Sequence, residues 1–310
     1  MKDRIIIFAI LMLLLNNMAL FSKQPKYKRI EISTKNQIQD HFFYDINRDG
    51  LKDLFITTGD IEKMEERRLQ LHLQTVEGFA QSPTQTLSFP KDSVVYDIGL
   101  LPFLGKGPGI LYIGAAGLSY QVFKDGFFAK ETINLGELAT IYQVPPRDAP
   151  IRAKLFYTEQ GMDSIHLCIP AYTKLYIIDP SGKEAFQNPT VLSLPVMTSL
   201  GTAEEMSSEN YDPVTLSQRL LIRVPKLFFK RFDADDKTDI IAVVKDRISV
   251  FRGKQDGGYE SSPFLNTTLN LSAGDDSGFI RPNFKVHIAD ADGDARQDIL
   301  VTNARMKTQN

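Results

Sequence analysis

His41-Phe42-Phe43-Tyr44-Asp45-Ile46-Asn47-Arg48-Asp49-Gly50-Leu51-Lys52-Asp53-Leu54-Phe55-Ile56 reads as an aromatic strand, an acidic loop and an apolar strand. The unit recurs near the C-terminus as Phe284-Lys285-Val286-His287-Ile288-Ala289-Asp290-Ala291-Asp292-Gly293-Asp294-Ala295-Arg296-Gln297-Asp298-Ile299-Leu300-Val301. A shortened copy is Phe232-Asp233-Ala234-Asp235-Asp236-Lys237-Thr238-Asp239-Ile240-Ile241. Self-similarity at periods of tens of residues decides an architecture before any single segment does. Two weaker copies, Val94 to Gly114 and Leu155 to Ile169, keep the flanking strands and lose most of the acids. In the first of them only Asp97 survives, and Gly105-Lys106-Gly107-Pro108-Gly109 makes the turn.

Each of the first four units continues with a strand, a glycine turn and an aromatic: Gly78-Phe79, Asp125-Gly126-Phe127, Gly182 to Phe186, and Gly257-Gly258-Tyr259. The aromatic positions 79, 127, 186 and 259 are 48, 59 and 73 residues apart. That spacing is too ragged for a strictly stacked solenoid and suits blades with variable loops. The units are expected near residues 38–90, 92–135, 150–192, 218–270 and 284–305. Alternation such as Leu69-Gln70-Leu71-His72-Leu73 and Ile248-Ser249-Val250-Phe251 marks period-2 strands, and no long helical periodicity competes with it. The charged stretch Ile61 to Arg68 reads as a solvated loop. Met197 to Asp212 carries Glu204, Glu205, Glu209 and Asp212 with no Lys or Arg, and reads as an inserted acidic surface loop. Binding residues tend to sit on such loops; the bland alternative is an insertion without function.

Calcium takes six to eight oxygens, and a short loop can supply them if side-chain oxygens recur at alternate positions. In the first loop these are Asp45, Asn47, Asp49 and Asp53, with the Leu51 carbonyl between the last two and Gly50 for the bend. The last loop offers Asp290, Asp292, Asp294 and Asp298, with the carbonyl of Arg296. Carboxylates packed this closely repel one another without a cation. Asp233, Asp235 and Asp239 form a third, contracted set in which Lys237 stands where an acid should be, so a weak or lost site is expected there.

These units resemble the FG-GAP or VCBS repeats of integrin-type β-propellers, on the stretches Asp45 to Asp53, Phe232 to Ile241 and Ile288 to Leu300 and on the Asp125-Gly126-Phe127 turn. The resemblance implies an all-β, propeller-like fold of about five four-stranded blades, with the calcium loop joining the first two strands of each. It also implies surfaces that bind protein or glycan. Family propellers often have seven blades, so ring closure stays open, and Tyr27 to Ser33 is expected to lend the final unit an outer strand.

Lys2 and Arg4 precede an apolar run from Ile5 to Leu15, followed by Asn16 and Asn17, which is the layout of an export signal over residues 1–22 with cleavage near Ser22. The 11-residue run falls short of the ~20 that a membrane-spanning helix needs. The only cysteine, Cys168, cannot form an internal disulfide and reads as a buried strand residue. A net charge of −2 gives no support for nucleic-acid binding. His41, His72, His166 and His287 are scattered through strand-like segments without a zinc-protease pair. Ser88-Phe89-Pro90-Lys91 lacks the partner motifs of a serine acyl-enzyme, and Gly105-Lys106 lacks the Ser or Thr of a phosphate loop. The reading is therefore an exported, monomeric calcium-binding recognition or adhesion module without catalytic residues. The alternatives are a structural subunit of an envelope complex or a calcium-dependent polysaccharide lyase or hydrolase.

Overall fold

The computed structural model describes residues 29–60, 63, 66–105, 107–143, 149–158, 165–194, 197–200, 220–223, 225–233, 235–244, 247–269, 283–293 and 297–304. The expected export signal, Asp294, Arg296 and most of the acidic insertion lie outside them.

The chain is all-β and propeller-like. Blade one runs β1 (Gln37–Tyr44), β2 (Asp53–Gly59), β3 (Arg68–His72), a small hairpin of β4 (Gln74–Thr75) and β5 (Gly78–Phe79), and β6 (Gln85–Ser88), in sheet order β1-β2-β3-β6. Blade two has β7 (Ser93–Gly99), β8 (Gly109–Gly114), β9 (Gly117–Lys124), β10 (Phe127–Phe128) and β11 (Ile133–Gly136). Its inner strand β7 also pairs in parallel with β12 (Ile151–Arg152). Blade three is β13 (Phe156–Thr158), β14 (Ile165–Pro170), β15 (Leu175–Ile178), a one-turn helix α1 (Glu184–Gln187) and β16 (Thr190–Leu192). A ribbon of β17 (Met197–Leu200) and β18 (Leu220–Arg223) precedes blade four, which is β19 (Lys226–Lys230), β20 (Asp239–Val244), β21 (Arg247–Phe251) and β22 (Leu265–Thr268). Blade five holds β23 (Asn283–Ala289) and β24 (Asp298–Ala304).

The middle strands are buried on both faces, and their period-2 alternation divides each strand between two neighbours. In β8, Ile110 and Tyr112 join the core shared with blade one, while Leu111 and Ile113 join the core shared with blade three. In β20, Ile240 and Ala242 face blade three, and Ile241 and Val243 face blade five. Each Ile, Leu or Val among them stabilises the stack by roughly 1.5–3 kcal/mol when fully buried. Polar groups register the blades as well: Thr57 and Tyr96 share a 2.6 Å hydroxyl contact, and the Gln85 amide both donates to and accepts from the Phe128 backbone.

Four hydrophobic cores thus join five blades in sequence, and among the described residues none joins the fifth to the first. Phe43 on blade one is 53% exposed and Leu300 on blade five 38%.

Several expectations are corrected. In the segment Tyr27 to Ser33, residues 29–33 form no strand, so these residues add none to blade five. The acidic insertion starts as a β-ribbon rather than a loop, because Met197–Leu200 pairs antiparallel with Leu220–Arg223. Arg67, in the stretch read as solvated, is buried and donates to the Lys91 carbonyl at 2.8 Å. In blade two the core aromatic is Phe128, packed on Phe123 and Phe55, whereas Phe127 of the expected marker is exposed. Asp97 lies within β7 and not in the turn.

Candidate metal centres

The first acidic loop joins β1 to β2, as the repeat pattern requires. Its fold comes from carboxylates bending back on backbone donors. Asp45 accepts the N–H groups of Asp49 at 3.1 Å and Gly50 at 3.0 Å, and Asp49 accepts that of Leu51 at 2.8 Å. The Asn47 side chain accepts from the Asp49 N–H and donates to the Asp49 carboxylate. Gly50 sits at φ 88°, and since open space surrounds it, conformation alone demands glycine.

Asp53 does something different. It opens β2 fully buried, with one oxygen on the Ile46 N–H at 2.9 Å and the other on the Gln74 N–H at 2.8 Å. The carboxylate staples the loop to the start of β4, just past the end of β3. Burial raises its carboxyl above the usual range, while the two N–H donors pull it back.

Blade four repeats the staple. Asp239 opens β20 fully buried and accepts from Phe232, Asp233 and Gly253 at 3.0, 3.3 and 3.0 Å. Here too burial is the main cause of a raised carboxyl. The rest of the loop differs: the Arg252 Nε lies 3.1 Å from Asp233 and the Lys237 Nζ 3.5 Å from Asp235. Arg252 is held over the Phe264 ring, 4.3 Å from its centroid. Two side-chain cations thus pair with two of this loop's carboxylates, Asp233 and Asp235.

In blade five, Asp298 opens β24 and accepts the Ala291 N–H at 2.9 Å, and Asp290 accepts that of Gly293 at 2.7 Å. Oxygens of Asp290, Asp292 and Asp298 lie within 4.8 Å of one another. Among the described residues no other trio of acidic, histidine or cysteine side chains converges so closely; Asp45, Asp49 and Asp53 do not. Asp294 and Arg296 fall outside the described residues.

The staple was missed in the sequence, although a signal existed. An acid directly followed by two apolar residues, as in Asp53-Leu54-Phe55 and Asp239-Ile240-Ile241, is an acid entering a buried strand; Asp298-Ile299-Leu300 repeats the pattern where Asp298 and Ile299 are half-buried and Leu300 is exposed. Arg252 lies outside the loop and carried no local signal. Asp97, in a unit without an acidic loop, accepts the N–H groups of Leu155 and Phe156 at 2.7 and 3.1 Å, with Arg152 at 3.9 Å. It therefore ties blade two to blade three.

The histidines all sit in strands, at β1, β3, β14 and β23. His166 stacks on Phe229 with ring centroids 4.5 Å apart, and the His72 Nδ1 lies 3.2 Å from the Ala80 carbonyl. Cys168 is buried in β14 between blades three and four, and burial raises its thiol. Among the described residues no helix is long and apolar enough to cross a membrane. No protein-family model matches the chain, and no curated protein matches it either.

Proposed function

We propose that this chain is an exported, calcium-binding propeller of the FG-GAP or VCBS kind that serves as a recognition module for protein or glycan at the cell envelope or outside the cell. The observation that carries the reading is the convergence of Asp290, Asp292 and Asp298 at the turn between the two strands of a blade. An all-oxygen, carboxylate-rich set suits a hard cation such as calcium better than a thiophilic metal. By spacing, Asp294 and the Arg296 carbonyl complete this site. Asp45, Asn47, Asp49 and Asp53, with the Leu51 carbonyl, would hold a second ion. Binding there would trade the loop's internal N–H contacts for metal contacts at Asp45 and Asp49 and leave the Asp53 staple holding the strands. In the loop of Asp233, Asp235 and Asp239, Arg252 and Lys237 already pair with Asp233 and Asp235, and the loop is not proposed as a site.

One observation favours a second reading, an assembly subunit. The outer edge of β24 has no strand partner among the described residues, and an open edge is a template for pairing with another chain. No catalytic role is proposed.

The test is a thermal melt in calcium, in magnesium and in excess chelator. A rise of several degrees in calcium alone supports the reading, by the coupling RT ln(1 + [L]/Kd). A melting temperature indifferent to calcium removes it.

A further inference from the structure

The excursion between β3 and β6 is held at both ends by side chains of the blade it leaves. Residues 74–83 depart from the sheet through the β4–β5 hairpin, and Thr75, Val76, Glu77, Ala80, Gln81 and Ser82 are exposed. At the start of the excursion the Gln74 N–H donates to Asp53 at 2.8 Å. Past the hairpin, the Ala80 carbonyl lies 3.2 Å from the His72 Nδ1. A carbonyl only accepts, so Nδ1 carries the proton and Nε2 is a bare acceptor. The sheet resumes at Thr84, whose N–H donates to the Leu71 carbonyl at 2.7 Å. Within the hairpin, Phe79 meets Phe43 of β1 with ring centroids 6.2 Å apart.

The clasp at Ala80 holds a buried imbalance. His72 is 1% exposed, and its Nε2 is buried without a hydrogen-bond partner. A proton there would add a charge and a donor that nothing answers. Burial lowers the proton affinity of the imidazole, and the Ala80 carbonyl works the other way. The titratable groups on the elements around it are Asp40 and His41 on β1, Asp53 on β2, Arg68 on β3 and Glu77 at the hairpin tip. Asp53 precedes Leu54, the cross-strand partner of His72, so its side chain points to the opposite face of the sheet.

We propose that this hairpin is an acid-released strap, hinged at Gln74 and unclasped at Ala80 when His72 takes up a proton. Opening lets water reach the imidazole, so the open form binds the proton near the ordinary histidine value of about 6.5. The closed form binds it less well. The open population therefore grows as pH falls below that value and shrinks again as pH rises. The Asp53 contact is no part of the clasp, so one end stays tethered. Release carries Phe79 away from Phe43, whose ring is already 53% exposed, and widens the apolar ground on blade one. A thin excursion with few buried side chains is where local opening is cheapest. The device goes beyond the recognition reading and needs no calcium.

The experiment follows backbone hydrogen exchange of the full chain by mass spectrometry at pH 7.5 and 5.5, each corrected for the intrinsic rate at that pH. H72N removes the titration and keeps a donor, since the asparagine Nδ2 stands where the imidazole Nδ1 did. H41N is the control, because His41 is exposed on β1. At the lower pH, opening of residues 74–83 should rise roughly threefold or more in the parent and in H41N but not in H72N, while β2 and β3 keep their protection. A response that persists in H72N, is absent from the parent, or is shared equally by β2 and β3 overturns the strap. Should H72N fail to fold, a carbon-13 titration of the parent's imidazoles decides. A His72 midpoint at or above that of His41 overturns the proposal, and a lower one with opening confined to residues 74–83 sustains it.

Discussion

The loops at Asp45 to Asp53 and at Asp233 to Asp239 begin from the same problem and end differently. Both place several carboxylates in a turn that leads into a buried strand, and both sink the last one, Asp53 or Asp239, beneath the loop as a backbone acceptor. In blade four the remaining charge meets Arg252 and Lys237. In blade one the carboxylates of Asp45 and Asp49 meet only backbone and amide donors of their own loop. The shared part is structural and the unshared part electrostatic, so the two loops separate holding strands together from holding a cation.

The largest expected effect tests the shared part. D53A and D239A each leave two or more backbone N–H groups without acceptors, at about 1–3 kcal/mol apiece. Each should therefore cost about 3 kcal/mol in denaturant unfolding, and a large gap between them would break the equivalence. Next comes the unshared part. Calcium at a hundred times its Kd should add about 2.7 kcal/mol per site. D49A combined with D292A should abolish that gain, whereas D235A should leave it intact; a calcium response lost in D235A would erase the contrast.

A smaller effect is expected from R252Q. Arg252 is half-exposed, so the loss should stay within about 1 kcal/mol. Adding K237D should give the fourth blade a calcium-dependent melt that the parent loop lacks. The finest test is a carbon-13 titration of the carboxylates. Burial raises Asp239 above the ordinary aspartate value, so its charged form is penalised in the folded state, and stability should rise as pH falls through the raised value toward about 3.9. Asp235 is lowered, chiefly by the Lys237 N–H, so its contribution is present above that value and should be lost as pH falls beneath it. Co-titration of the two would show that the staple is not distinct from the loop.

Much of this was legible in the sequence. Strand alternation is a local pattern, and the all-β class it indicated is the one observed. The choice of Phe128 over Phe127 was not legible, because two adjacent aromatics in a strand point to opposite faces and only the neighbouring blade decides which face is interior. Nor was the β-ribbon at Met197–Leu200, whose partner Leu220–Arg223 lies beyond the acidic segment.

What the sequence determined by itself was the order of blades, the all-β class and the placement of acid-rich turns between first and second strands, because period-2 patterning and turn chemistry act over a few residues. Only the tertiary structure decided which donors each staple meets, that Arg252 reaches the blade-four loop and which faces stay uncovered at Phe43 and Leu300. Those outcomes depend on donors, rings and cores contributed from tens of residues away, and no local pattern encodes them.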